Sequence, residues 1–124
     1  MMMPRYVVLL HEMPPESERG LHWDLMLERN DTLLTWALNE QPSLSASISA
    51  VQLNNHRLAY LDYEGEVSGG RGHVSRWDAG YYQMIDDHFD RLVIQMSGIR
   101  LECGVTAEQI ASGPHWQFLF GRVE

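Results

Sequence analysis

Leu21-His22-Trp23-Asp24-Leu25-Met26-Leu27-Glu28 sets apolar Leu21, Trp23, Leu25 and Leu27 in alternation with His22, Asp24, Met26 and Glu28. A period of two predicts a β-strand with one face on a core and the other presenting side chains. In a helix two residues turn by roughly 200°, which would separate His22 from Asp24. In a strand they share a face, about 6.6 Å apart along the chain, pointing away from the core while their neighbours anchor the strand. Two such side chains can converge on one metal ion, whose bonds to histidine nitrogen and carboxylate oxygen run roughly 2.0–2.2 Å.

Outward from this strand the chain keeps the same character. Arg5 to His11 is a first short strand ending in a histidine. Glu12 to Gly20, with Pro14, Pro15 and four charges, is a loop. Asn30-Asp31 marks a turn into a third strand, Leu33 to Leu38, so the first three strands form a meander. The Ser-rich stretch from Gln41 to Ala50 is expected to be a loop, a short helix capped by Ser43 or Ser45 being the other reading. Ala50 to Leu53 is a short strand and Asn54-Asn55 a turn; Glu64 to Gly72, with four glycines, is irregular. His73 to Trp77, Tyr81 to Ile85, Arg91 to Ser97 and Ile99 to Cys103 are strands, separated by Asp78-Ala79-Gly80, Asp86-Asp87 and Gly98. Thr106 to Ala111 allows one helical turn, and Trp116 to Arg122 is a last strand with Trp116, Phe118 and Phe120 on one face. Many short strands with turn signals between them predict an all-β domain. We expect a small closed or nearly closed β-barrel of about six to eight strands, which leaves no long edge strand to protect.

The 124 residues fit a single domain, and 44% apolar residues suffice for one core. Cys103, the one cysteine, excludes an internal disulfide framework and fits a reducing cytoplasm, with the thiol as a small core hydrophobe. The apolar run before His11 is too short to span a membrane and has no small-residue cleavage site, and the three opening methionines reflect an uncertain start. The formal charge is −8, from 17 acids and 9 bases, which argues against broad non-specific binding along a nucleic-acid backbone. It leaves room for a small site gripping one phosphate. The chain has no lysine, so such a grip must come from arginine, histidine, a metal or backbone amides.

His11 closes the strand beside His22 and Asp24. Two histidines and one carboxylate on neighbouring strands suit a divalent metal with open positions for water and substrate. Six histidines in a chain of this size also produce such pairs by chance, in which case they are polar, solvent-side residues.

Several separated motifs agree in order. Tyr6-Val7-Val8-Leu9-Leu10-His11, then Leu21 to Glu28, then Leu34-Thr35-Trp36-Ala37 resemble the 3′-phosphoesterase domain of bacterial DNA ligase D, which reads "FVVQKH", "LHYDFRLE" and "SWA". His56-Arg57-Leu58-Ala59-Tyr60 and Tyr63-Glu64-Gly65 resemble its "HPLDY" and "FEG", and Trp77-Asp78 with Gly80 its "VWDRG". The likeness covers positions 5 to 101 and weakens beyond.

The resemblance implies a small β-barrel enzyme that uses a divalent metal, typically manganese with zinc or cobalt as alternatives. It would remove a 3′-terminal ribonucleoside and then the remaining 3′-phosphate from nucleic-acid ends in DNA repair. Carried over residue by residue, it makes His11, His22 and Asp24 the metal ligands, with His56 contacting the scissile phosphate and Tyr60 assisting. The expected partners are nucleic-acid 3′ ends and a ligase or polymerase acting in trans; the protein is expected to be a monomer without a membrane partner. Three departures stand out. Met26 replaces an arginine that clamps phosphate, Asn54 replaces a glutamate two residues before the active-site histidine, and the loop between His11 and His22 is longer. Arg57, Arg71 and Arg76 are candidates for the missing charge. His73, His88 and His115 match no family motif and are expected to be structural, and Trp23, Trp36, Trp77 and Trp116 to be core. Beside the enzyme stand two other functions: a binding module for ends or a protein partner, and a phosphoesterase for a small nucleotide.

Overall fold

A computed structural model describes residues 3–121. Met1, Met2 and the expected strand end at Arg122 lie outside the described residues. The strands are β1 (Arg5–Glu12), β2 (His22–Arg29), β3 (Thr32–Leu38), β4 (Ser47–His56), β5 (Gly65–Glu66), β6 (His73–His88), β7 (Arg91–Gly98), β8 (Glu102–Gln109) and β9 (His115–Gly121), with a 3₁₀ turn at Leu58–Leu61. The order β1-β2-β3-β4-β9-β8-β7-β6 returns to β1, closing an eight-stranded antiparallel barrel. β5 is a short annex on β6. The expected all-β barrel and its opening meander are therefore present, without an α-helix among the described residues.

β6 closes the barrel, and it is where the sequence misleads. It is one strand of 16 residues, not two short ones. Its first half pairs with β1 and its second half with β7. Asp78 and Gly80 carry turn chemistry but serve the closure. A Cβ on Gly80 would stand 2.1 Å from the Ser97 carbonyl oxygen, so only glycine lets β6 and β7 approach there. Asp78 is buried and accepts from the Tyr6 hydroxyl at 2.5 Å and from the backbone N–H groups of Arg100 and Leu101 at 2.7 and 3.2 Å. Burial and the neighbouring carboxylate push the Tyr6 hydroxyl far up, so it remains a donor. A charge-assisted bond of this kind contributes about 1.5–3 kcal/mol. Tyr6→Phe should lower unfolding free energy by about that amount in a urea titration, and a loss under about 0.5 kcal/mol would show that the bond contributes little.

Other boundaries shift for related reasons. Asp86 and Asp87 lie on β6 and pair with Arg91 and Arg29. Ser47-Ile48-Ser49-Ala50 belongs to β4, with Ile48 and Ala50 buried and both serines exposed; only the residues before it form a loop. Asn54-Asn55 is an irregularity inside β4, between Leu53 opposite Thr35 and His56 opposite Leu33, and not a turn. Such a bulge re-aims the residue that follows it. Thr106 lies in β8, where Val105 and Ala107 face the core, so the helical turn is absent. Ile99 and Arg100 precede that strand instead of belonging to it.

The barrel interior holds Trp36, Trp116 and Phe118, with Trp36 edge-on to each of the other two at 5.5 Å between ring centres. Cys103 is buried there, while Trp23 and Trp77 pack against it partly buried. A second apolar cluster forms on the outside of the wall. Val7, Leu9 and Met26 from the outer face of β1 and β2 meet Leu33, Leu61, Val67 and Val74. The excursion carrying the 3₁₀ turn and β5 folds back over β1 and β2, so β2 is buried on both faces.

Candidate metal centre and its cavity

The outer face of β1 and β2 sets the geometry. His11 lies opposite His22 in the antiparallel register, and Asp24 is two residues along β2. The alternation that buries Leu25 and Leu27 inside the barrel turns His22, Asp24 and Met26 outward, the latter two facing residues of the excursion. His22 and Asp24 point away from the barrel core as expected, yet at 3% and 2% exposure they are buried, which corrects the alternative reading of them as solvent-side residues. One ligand atom from each of His11, His22 and Asp24 lies within 4.8 Å of the others.

The hydrogen bonds decide what this cluster can hold. A carbonyl only accepts, so His22 Nδ1–H donates to the Gly20 carbonyl at 3.0 Å and His11 Nε2–H to the Arg71 carbonyl at 2.7 Å. His11 Nδ1–H donates to Asp24 Oδ2 at 2.7 Å. His22 Nε2 then stands 3.1 Å from Asp24 Oδ1, and both atoms are buried without a hydrogen-bond partner among the described residues. A buried nitrogen lone pair facing a buried carboxylate oxygen is costly unless a cation lies between them. Each ring's second nitrogen is held by a backbone carbonyl, which is how metal-ligating histidines are oriented. The residues present fit a divalent ion bound by His11 Nδ1, His22 Nε2 and Asp24.

The electrostatics agree. Burial alone would raise the Asp24 carboxyl, but the bond from His11 and the closeness of the His22 ring outweigh it and hold it down at about 2. Burial likewise opposes charge on His11, yet Asp24 and the Arg71 carbonyl outweigh it and raise its affinity for a proton. The carbonyl of Arg71 reaches His11 because Gly72 adopts φ +88°, with the place of its missing Cβ 2.1 Å from the Glu12 carbonyl oxygen. Gly72, read only as part of an irregular stretch, is thus part of the centre's support.

A cavity of about 470 Å³ opens beside the cluster, within the usual range for small-molecule sites. His11 and Asp24 form one side; Asn54, His56, Arg57 and Tyr60 form the other. His56 Nδ1–H donates to the Asn54 carbonyl at 2.8 Å, so backbone fixes this ring and the side chain at 54 does not. Tyr60 sits edge-on to His56, ring centres 5.6 Å apart, at the 3₁₀ turn. The structure thus brings together five expected residues: His11, His22, Asp24, His56 and Tyr60.

The arginines divide. Arg57 and Arg71 line the cavity, and the Arg71 guanidinium is tied to the Ser68 carbonyl at 2.7 Å. Arg76 does not line it; its guanidinium turns to the Leu61 carbonyl at 3.4 Å, so that candidate is corrected. A bulge in β6 between the partners of Val8 and Leu9 changes which face Arg76 takes. Arg19 lines the cavity and was missed. The signal for it was its place in the longer loop, as the one arginine between His11 and His22. Among the described residues Arg19 and Arg57 form no side-chain hydrogen bond or ion pair, while Arg5, Arg29 and Arg91 pair with carboxylates. Asp24 is the one carboxylate among the described residues lining this cavity, so the site carries local positive charge in an acidic chain. Met26 is an apolar wall. His73 and His88 are exposed and pair with Glu66 and Asp86, and His115 is exposed, as expected for structural histidines.

Fold and site together define a small β-barrel with a two-histidine, one-carboxylate centre of the kind that takes a divalent metal, set against an arginine-lined cavity. A family model describing the DNA ligase D 3′-phosphoesterase domain matches residues 15–114. The chain belongs to that family. It is similar to the multifunctional non-homologous end joining protein LigD of Pseudomonas aeruginosa, 36% identical over 88 residues, covering 67% of this chain and 10% of that protein. The LigD non-homologous end joining DNA repair protein of Mycobacterium tuberculosis is 30% identical over 107 residues, covering 79% of this chain and 14% of that protein. The chain therefore spans a small part of these relatives' length. Among the described residues, no helix is long and apolar enough to cross a membrane.

Proposed function

We propose that this chain forms a metal-dependent 3′-phosphoesterase domain that trims 3′ ends of DNA or RNA in repair within a reducing cytoplasm. The observation that carries this reading is the pair His22 Nε2 and Asp24 Oδ1, buried and unpartnered among the described residues, beside a cavity holding His56 and two arginines whose side chains have no partner among those residues. A divalent ion, manganese first and zinc or cobalt next, would neutralise phosphate charge there and ready a water for attack. His11, His22 and Asp24 hold it. Arg19, Arg57 and Arg71 grip the phosphate, supplying from loops the charge that Met26 cannot supply from β2. His56, oriented through Nδ1, gives the proton on Nε2 to the departing oxygen as the phosphorus–oxygen bond breaks. The water oxygen joins phosphorus, and its proton restores His56. Tyr60 fixes the ring by packing against it.

The test is phosphate release from DNA and RNA oligonucleotides ending in a 3′-phosphate, with manganese, zinc or cobalt and with chelator. Release that needs metal is expected, and Arg19→Ala should raise KM about tenfold, the scale of one lost charge-assisted contact. Binding of these ends without release under any metal would replace the enzyme by a binding module. Release from free nucleotides alone would replace it by a small-nucleotide phosphoesterase.

A further inference from the structure

A second cavity of about 200 Å³ adjoins the first and shares Arg57 and Tyr60 with it. We propose that it is a nucleobase subsite, taking the base of the nucleotide whose 3′-phosphate lies in the larger cavity. This rests on reading the larger cavity as a phosphate site.

Three aromatic rings lead from one cavity to the other. His56 and Tyr60 meet edge-on at 5.6 Å, and Tyr60 and Tyr63 at 5.7 Å. Tyr63 is 37% exposed, yet its hydroxyl donates to the Glu66 carbonyl, which pins the ring in place. An exposed aromatic held this way loses little freedom when something stacks on it. Every base has a π-face for such a ring, and Arg57 beside it can stack or pair in the same space. The cavity is smaller than sites for drug-sized ligands, so it suits one flat ring system. Glu66 on its wall disfavours a second phosphate and offers acceptors to an exocyclic amine. The two cavities thus match the two halves of a nucleotide, charge on one side of Arg57 and Tyr60 and a flat ring on the other.

The test compares fluorescent oligonucleotides bearing a 3′-phosphate, with or without a base on the terminal nucleotide, in equilibrium binding to the full chain. The base should strengthen binding about tenfold, the scale of one stacked base. Tyr63→Leu should bring that ratio near one, and Tyr63→Phe, which keeps the ring but loses the hydroxyl bond to the Glu66 carbonyl, should retain part of it. Equal binding of both ends by wild type, or a ratio unchanged in Tyr63→Leu, overturns the subsite. A nucleoside 3′-phosphate competing as well as the oligonucleotide supports the subsite and assigns it to free nucleotides; competition only by the oligonucleotide supports it and assigns it to strand ends. Phosphate release on the same ends is read in parallel. A base preference without release keeps the subsite and removes the proposed activity; release without a base preference does the reverse.

Discussion

His56→Ala is expected to slow phosphate release by about 10²–10⁴-fold, the usual contribution of a positioned general acid. The Asn54 carbonyl holds Nδ1, so the ring's other nitrogen is the one available to the departing oxygen. His56 is not among the three clustered metal-binding candidates, so manganese should stabilise the variant as much as wild type. Loss of rate with metal binding intact separates its role from that of the metal centre. A variant within about tenfold of wild type would remove His56 as the acid. Asn54→Ala should leave His56 oriented, since the backbone carbonyl remains.

The second large effect concerns the metal. Manganese at about a hundred times its Kd should stabilise the fold by about 2.7 kcal/mol, read as a raised melting temperature. His22→Ala should abolish that shift and bring metal-dependent release to background, because it removes Nε2, which faces Asp24 Oδ1 at 3.1 Å. A full shift in the variant would place the metal elsewhere. His11 holds its proton more tightly than an ordinary histidine, and a metal must displace that proton from Nδ1. Manganese affinity should therefore rise with pH, and its fall toward acid pH should begin above the ordinary histidine range.

The alternation from Leu21 to Glu28 carried the strand, its barrel face and the shared face of His22 and Asp24, because a period of two is a local property. Burial of that second face is not local. Met26 is covered by the excursion around the 3₁₀ turn and β5, which nothing within β2 announces. Asp78 and Gly80 misled because turn chemistry and close packing use the same residue types. Asp78's partner Tyr6 is 72 residues away, so only the closed barrel shows that the aspartate is structural. His56 and Tyr60 were legible through resemblance alone, since a bulge and a 3₁₀ turn leave no periodicity. Arg19 lies in a loop without pattern; its one signal in the sequence is its place between His11 and His22, and the fold adds that its side chain has no partner among the described residues. Arg76 failed for the opposite reason: the β6 bulge carried it to the Leu61 carbonyl.

The most direct measurement is anomalous diffraction from crystals of the protein soaked with manganese and a 3′-phosphorylated dinucleotide. The account predicts one strong peak within bonding distance of His11 Nδ1, His22 Nε2 and Asp24, with the phosphate between it and Arg19, Arg57 and His56. Manganese bound elsewhere, with His22 Nε2 still facing Asp24 Oδ1 and nothing between them, would contradict it.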